Sequence, residues 1–357
     1  MKIQISTISD TSTELQLLRD IAKVTPVEGG QYVTRLLDEF KHFGLNGVHT
    51  CLVFEPMGPS VDSMVEELPQ FNPRKWGMKF RYPPRMAKSI LKQSLQALAF
   101  LHKLNIAHGD FQPGNMLFAL DDIDSKPEDV LRQEENEQTG SISPPVKRLD
   151  VKKDLWAPRY LCITQPLTPF TPYTEGFKIK LSDMGGAYFL TDPPKKPLTP
   201  RGLRAPEMVL MGTVNESPYI WSFGCLVFEL MTGQPLFCVP ADELEDDDHL
   251  LSLSKRLGPL PDELYKQWKN SSWYYTPDRK LYNNRLGGVV GGEPYMPDAA
   301  PISMEEAFDN TSPEIDEEEA GKGKALIRWI LQYDPAKRPS AAEILRDPWF
   351  SEEHSSL

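Results

Sequence analysis

The chain has 357 residues, 40% of them hydrophobic and 25% charged, a balance that excludes a disordered polymer and leaves room for a large core in two lobes. A formal net charge of −12 disfavours a nucleic-acid backbone as a direct partner and favours basic ligands or basic proteins. The longest apolar run, Ile220-Trp-Ser-Phe-Gly-Cys-Leu-Val-Phe-Glu-Leu-Met231, is too short and too polar to span a bilayer, so a buried helix is expected there and no membrane partner.

Met1 to Ser6 has no signal-peptide character and alternates enough to form a strand. Behind a cap at Ser12 or Thr13, Glu14-Leu-Gln-Leu-Leu-Arg-Asp-Ile21 reads as an amphipathic helix with Leu15, Leu18 and Ile21 along one side. Gln31 to Phe40 and Val48 to Phe54 read as two strands joined by a Gly44-Leu-Asn-Gly47 turn. Glu55-Pro-Met-Gly-Pro59 is a natural connector between lobes. From Pro84 to His102 the pattern turns helical, with Met86, Ile90, Leu91, Leu95, Leu98 and Leu101 on one face.

That helix delivers the chain into His108-Gly-Asp-Phe-Gln-Pro-Gly-Asn115, which fits the phosphotransferase pattern H-x-D-x-x-x-x-N. Asp110 is placed to accept the proton of an incoming hydroxyl, and Asn115 to offer a neutral oxygen to a phosphate-bound Mg²⁺. A plain polar turn uses the same residue types, so the later segments decide between the two.

Asp121 to Val146 is acidic, polar and without aromatics, which predicts a flexible insert. Lys178 to Ser182 resumes a strand, and Leu181-Ser-Asp-Met-Gly-Gly186 puts a second carboxylate, Asp183, at its end, where it could chelate the metal that Asn115 touches. Asp192 to Pro200 reads as a proline-rich surface loop. The acidic stretch Ala241 to His249 opens a helix running to about Leu253, with acidic residues at its positive end. Gly287 to Glu319 reads as another loose, acidic segment, and short helices are expected over Lys324 to Gln332 and Ser340 to Leu345. The four cysteines, at 51, 162, 225 and 238, show no metal-type spacing and read as reduced core thiols of an intracellular protein.

The ordered set His108/Asp110/Asn115, Asp183-Met-Gly185, Ala205-Pro-Glu207, Trp221-Ser-Phe-Gly224 and Arg338-Pro339 resembles the large lobe of eukaryotic protein kinases. Gly44 to Glu55, the insert after the Asn115 loop, Pro158-Arg-Tyr-Leu161, Leu181 to Ala187 and Leu203 to Glu207 are similar to SR-protein kinases, above all to their divergent fungal branch. The resemblance implies an α+β, bilobal protein-kinase-like fold. An incomplete small β-rich N-lobe (1–57) would precede a mainly helical C-lobe (58–350) and a tail (351–357), with a flexible insert at about 119–175 and an acidic loop at about 287–320.

It also implies ATP and Mg²⁺ as cofactors, and serine phosphorylation of basic, Arg/Ser-rich proteins such as splicing factors by a cytoplasmic and nuclear monomer. Carried over by position, Asp110 is the catalytic base, and Asn115 and Asp183 are the metal ligands. Lys2 is the phosphate-binding lysine, with Glu14, twelve residues on, as its ion-pair partner. Phe54, Glu55 and Met57 meet the adenine, Phe54 as gatekeeper, and Glu207 pairs with Arg338 in the core.

Five departures qualify the resemblance. No glycine-rich loop precedes Met1, so a chain that starts late within a longer reading frame is the expectation. Gly109 replaces an arginine that reads a phosphorylated loop, and Gln112 replaces a lysine beside the transferred phosphoryl group. Pro200 aligns with a threonine that buttresses the catalytic aspartate, although Thr199 is adjacent, and Tyr219 stands where an aspartate caps the loop. Lost cation and lost hydroxyl would both weaken transition-state stabilisation, and the loop is expected to be held less firmly. Two other functions therefore stand beside the enzyme: a pseudokinase that only binds basic partners, and a small-molecule kinase of aminoglycoside or choline type, towards which Gly109 and Gln112 lean.

Overall fold

In the first strand, β1 (Lys2–Ile3), alternation turns Lys2 and Gln4 to one side and Ile3 and Ile5 to the other. β1 joins β2 (Leu36–Gly44) and β3 (Gly47–Phe54) in an antiparallel sheet of order β1-β3-β2, with Lys2 opposite Leu52 and Ile3 opposite Cys51. Helix α1 (Glu14–Val24) buries Leu17, Leu18 and Ile21 in the hydrophobic cluster that also holds Leu52, while Leu15 is only partly buried, so Leu17 takes the inward place expected of Leu15. The computed structural model describes residues 1–7, 13–24, 27–44, 47–132, 141–144, 146, 160–162, 167–174, 176–194, 198–213, 215–239, 245–286 and 301–351. Ser12, one of the two expected caps, lies outside them, as do Leu45 and Asn46 of the turn whose flanks Gly44 and Gly47 are paired.

The strand expected from Gln31 begins only at Leu36. Gly29, at φ 91°, lies so close to the long helix of the large lobe that a Cβ there would sit 2.6 Å from the Gln96 carbonyl. A single turn over Gly30–Tyr32 follows, and Val33 and Thr34 then bridge to Leu181 of the large lobe, the Thr34 N–H donating to its carbonyl at 2.9 Å. Those residues satisfy their backbone across the lobes instead of within the small sheet.

The large lobe starts with β4 (Met57–Ser60) and α2 (Val61–Glu67), whose cap is the Ser60 hydroxyl. Helix α3 (Pro84–Lys103) opens on a proline, where no N–H is needed, and buries all six residues of the apolar face read from its spacing. Each such fully buried side chain contributes about 1.5–3 kcal/mol. Four short strands flank the His108–Asn115 loop and the turn at Asp183: β5 (Ile106–Ala107), β6 (Met116–Ala119), β7 (Ile179–Leu181) and β8 (Tyr188–Phe189), paired as β4-β6-β7 and β5-β8. Between β6 and β7 lies α4 (Glu128–Leu131), a turn of helix within the stretch expected to be flexible; 133–140 and 147–159 lie outside the described residues.

Helices α5 (Pro206–Met211) and α6 (Ser217–Thr232) come next, and α6 is buried nearly all round, as a helix apolar on every face must be. It packs between α3 and α10 (Glu317–Ile330). The acidic stretch opens α7 (Glu245–Leu257), followed by α8 (Asp262–Gln267) and, ahead of α10, α9 (Met304–Asn310). The loose segment expected over 287–319 is corrected for its described part, 301–319, while 287–300 lie outside the described residues. Ser303 and Glu306 form a capping box that starts α9, and Asp316 caps α10, which begins at Glu317, seven residues before the expected Lys324. α11 (Ala341–Ile344), with its own Ser340/Glu343 box, and α12 (Pro348–Ser351) end the described chain.

Cys51 and Cys225 are buried, but Cys162 and Cys238 are exposed, which corrects the reading of all four as core thiols. Cys238 follows Leu236 and Phe237, which themselves fill the core. Among the described residues no helix is long and apolar enough to cross a membrane.

Glu207 of α5 meets Arg338 in a bidentate pair, one N–O distance being 2.7 Å, with both side chains 1% exposed and the guanidinium 4.9 Å over the Trp221 ring. Arg338→Met should therefore cost about 3–5 kcal/mol in urea unfolding, because it strands a buried carboxylate, whereas the Glu207→Leu/Arg338→Met double variant should recover most of that loss. A single variant as stable as the parent would contradict this.

Candidate active site

The loop from His108 to Asn115 is suspended between β5 and β6 by two fully buried rings, His108 and Phe111. His108 Nδ1 accepts the Asp110 N–H at 3.3 Å, so Nε2 carries the proton and donates to the Ser182 carbonyl at 2.9 Å. Burial lowers the imidazole pKa, which keeps it neutral and in that tautomer. The bond crosses from the Asp110 loop to the end of β7, and the Ser182 N–H returns it by donating to the Asn115 carbonyl at 2.8 Å. Gly109, at φ 81°, presses on the same turn so closely that a Cβ would lie 1.8 Å from the Gly186 carbonyl. No arginine fits there.

These contacts place three of the expected groups together. Asp110 Oδ1 accepts from Gln112 Nε2 at 2.7 Å and Oδ2 from Asn115 Nδ2 at 2.9 Å, so both carboxylate oxygens are held by neutral amides. Asp183 sits at φ 60°, ψ 76°, a left-handed geometry uncommon for a residue with a side chain, and caps the Gly185 N–H at 3.1 Å. Both carboxylates act electrostatically on the His108 ring between them.

Lys2 reaches across from β1, 2.7 Å from Asp183 Oδ1 and 2.8 Å from Glu14 Oε1. Glu14 is 3% exposed and takes a further bond from Gln4 Nε2 at 3.0 Å. Gln4 was not singled out from the sequence, though its place two residues after Lys2 puts it on the same side of the strand. Burial lowers the Lys2 pKa, but hydrogen bonds and charge from the two carboxylates outweigh it and the net shift is upward. Burial likewise raises Asp183, and Lys2 outweighs it, holding the carboxyl below its ordinary range.

Phe54, Glu55 and Met57 lie where the two lobes join, Phe54 half-buried opposite Leu36 and Met57 opposite Ala119. The Glu55 carboxylate is clamped by Lys180 Nζ at 2.6 and 2.7 Å and by the Arg35 N–H at 3.1 Å. Its side chain thus fixes the connector, leaving backbone to meet a ligand. Thr199 is fully buried and its hydroxyl donates to the Gly109 carbonyl at 3.1 Å. The hydroxyl that Pro200 was expected to remove is therefore supplied by its neighbour.

Gln112 also walls a groove of about 470 Å³ that runs past Pro200 and Gly202 to Asp62 and Glu229. Neither of these two carboxylates is paired with a cation among the described residues, and a smaller cavity of about 180 Å³ continues beyond them. Burial and the nearby Asp62 charge push Glu229 up to about 7. The sequence signal for Glu229 was a lone carboxylate in an otherwise apolar helix, and for Asp62 there was none.

A family model described as "Protein kinase domain" matches residues 172–350. The chain is 29% identical over 350 residues to the serine/threonine-protein kinase SRPK of Physarum polycephalum, covering 95% of this chain and 75% of that protein. It is 24% identical over 345 residues to the serine/threonine-protein kinase AFC2 of Arabidopsis thaliana, covering 95% and 66%. With the dual specificity protein kinase CLK2 of Homo sapiens it shares 23% over 338 residues, covering 95% and 55%. The chain thus spans between about half and three quarters of the length of these relatives. A crystal structure of a kinase domain, 24% identical, superposes with a TM-score of 0.59 over 96% of this chain and 84% of that one, which shows the same fold.

The Lys2 bridge has a testable pH signature. Because Asp183 is lowered in the folded state, its pairing stabilises the protein above the unfolded carboxyl pKa of about 4 and is lost as pH falls through the folded value. Lys2→Met should therefore be less stable than the parent at neutral pH, with a deficit that shrinks in acid, in urea melts across the pH range. A deficit independent of pH would rule the bridge out.

Proposed function

Because the chain belongs to the protein kinase family, we propose that it is a serine/threonine kinase that transfers the terminal phosphate of ATP to hydroxyls in basic, Arg/Ser-rich proteins. The observation that carries this reading is the Asp110 carboxylate, held at both oxygens beside a groove in which two acidic side chains pair with no cation among the described residues.

Asp110 is the base, placed to take the proton of the attacking hydroxyl and kept in orientation by Gln112 and Asn115. The chemistry of the donor set fits a magnesium nucleotide: Asp183 offers a carboxylate, Asn115 an amide oxygen and Lys2 an ammonium. Gly185 keeps the space between them open, since a Cβ there would lie 2.9 Å from Lys2 Nζ and 3.0 Å from Asp183 Oδ1. Among the described residues no three His, Cys, Asp or Glu side chains form a metal cluster, and a hard ion shared with phosphate oxygens needs none. When bound, Mg-ATP supplies the electrophilic phosphoryl group and part of the charge neutralisation. The adenine would meet the connector at Phe54, Glu55 and Met57.

Asp62 and Glu229 select substrate. A guanidinium beside the acceptor serine offsets both charges, and the acidic chain as a whole attracts a basic protein. The pseudokinase alternative keeps the groove but not the transfer.

Four outcomes are expected. Mg-ATP at millimolar concentration raises the melting temperature of the parent, and its failure to do so counts against an enzyme. Asp110→Asn abolishes transfer while keeping that shift. Glu229→Gln loses about ten- to hundredfold in kcat/KM on arginine-containing peptides and little on neutral ones. The carboxylate form binds the cation, so the parent's KM for a basic peptide should fall as pH rises through about 7, and Glu229→Gln should flatten that profile. An unchanged profile would remove Glu229 from substrate recognition.

A further inference from the structure

We infer that His249 is a positioning residue for the Asp110 loop: three successive bonds, each from a side chain to the carbonyl of the next residue, carry the position of helix α7 to the peptide that precedes Asp110. His249 Nε2 donates to the Arg204 carbonyl at 2.8 Å, Arg204 Nε to the Thr199 carbonyl at 2.7 Å, and the Thr199 hydroxyl to the Gly109 carbonyl at 3.1 Å. His249 and Thr199 are fully buried and Arg204 is half-buried, so bulk water does not make good a lost link at either end.

A carbonyl can only accept, and that fixes the direction of all three bonds. His249 must carry its proton on Nε2, and burial lowers the ring to about 4, so it is neutral at neutral pH and keeps that tautomer. The last carbonyl matters most. Gly109 O and Asp110 N belong to one planar peptide unit, whose N–H donates to His108 Nδ1 at 3.3 Å. Thr199 at one end and His108 at the other therefore hold that plane, and with it the direction in which the Asp110 side chain leaves the backbone.

Helix α7 grips the same segment at a second point. Glu245 and Asp246 in its first turn bind the Arg201 guanidinium, and Glu245 and Arg201 both line the groove that Gln112 walls. Segment 199–204 is also tied to α6, where the Ser222 hydroxyl donates to the Leu203 carbonyl at 2.8 Å. That bond stops where it lands, because Leu203 has no polar side chain to pass it on. The route through His249 is different in kind, since Arg204 and Thr199 each accept on the backbone and donate from the side chain.

The test compares His249→Leu, which deletes the first donor, with His249→Gln, whose amide can replace Nε2, and with Ser222→Ala, which cuts the bond to Leu203. The readouts are amide hydrogen exchange over Gly109 to Asn115 in the full chain and, resting on the phosphotransfer reading, kcat against KM for ATP. His249→Leu should speed loop exchange about two- to tenfold and lower kcat with KM unchanged, and His249→Gln should return both towards the parent. Ser222→Ala should lower the melting temperature and leave loop exchange alone. Adding Thr199→Val to His249→Leu should go no further than Thr199→Val by itself, because the links act in series. Unchanged loop exchange in His249→Leu, an equal rise in Ser222→Ala or additive effects in the double variant would overturn the inference. Should His249→Leu fail to fold, Arg204→Met cuts the middle link and must speed loop exchange in the same way. If the parent transfers no phosphate, the phosphotransfer reading falls with the kinetic arm, and the exchange arm still decides whether α7 sets the loop.

Discussion

The neutral imidazole of His108 is the joint on which this site turns. It accepts from Asp110 and donates to Ser182, so one buried ring sets the spacing between the loop that bears Asp110 and Asn115 and the turn that bears Asp183. The joint is rigid because His108 is wholly buried and because Gly109 and Gly186 touch through backbone alone. A charged imidazole would have two donors and could not accept from Asp110, so the low pKa that burial imposes is part of the geometry. Lys2 then reaches Asp183 from the small lobe, with Glu14 behind it and Gln4 behind that. The small lobe meets the chemistry through a side chain, and its sheet serves to aim that side chain.

On the opposite side, charges are satisfied internally before substrate arrives. Arg338 is consumed by Glu207, and Arg201 is held by Glu245 and Asp246. His249 Nε2 meets the Arg204 carbonyl at 2.8 Å, and Arg204 in turn holds Thr199. Against this background Asp62 and Glu229 stand out: among the described residues no cation pairs with either, and burial with the nearby Asp62 charge pushes Glu229 up to about 7. The proposed base and the proposed recognition groups share a wall, since Gln112 both holds Asp110 and lines the groove of Asp62 and Glu229.

Much of this was legible in the sequence where the signal is local. The six apolar residues of α3, the strand ending at Phe54 and the twelve-residue step from Lys2 to Glu14 depend on period and order, and the structure keeps them. The crossing of residues 33–34 to Leu181 was not legible, because alternation alone cannot say which lobe supplies the partner. Helix α9 was missed although Ser303-Met-Glu-Glu306 spells its cap, since composition was weighed above capping. The part played by Thr199 was hidden for a different reason. A residue-by-residue comparison scores the proline at 200 as a loss, whereas the neighbouring Thr199 hydroxyl meets the Gly109 carbonyl only in space.

The most direct measurement is the magnesium dependence of phosphate transfer from labelled ATP to an Arg-Ser peptide, compared between the parent, Asn115→Ala and Asp183→Asn. Two side chains that share a metal predict transfer by the parent and a clear rise in the magnesium needed by each variant, with peptide KM unaltered. A parent that transfers nothing at any magnesium concentration, or variants that follow the parent's curve, would contradict the assignment of this site.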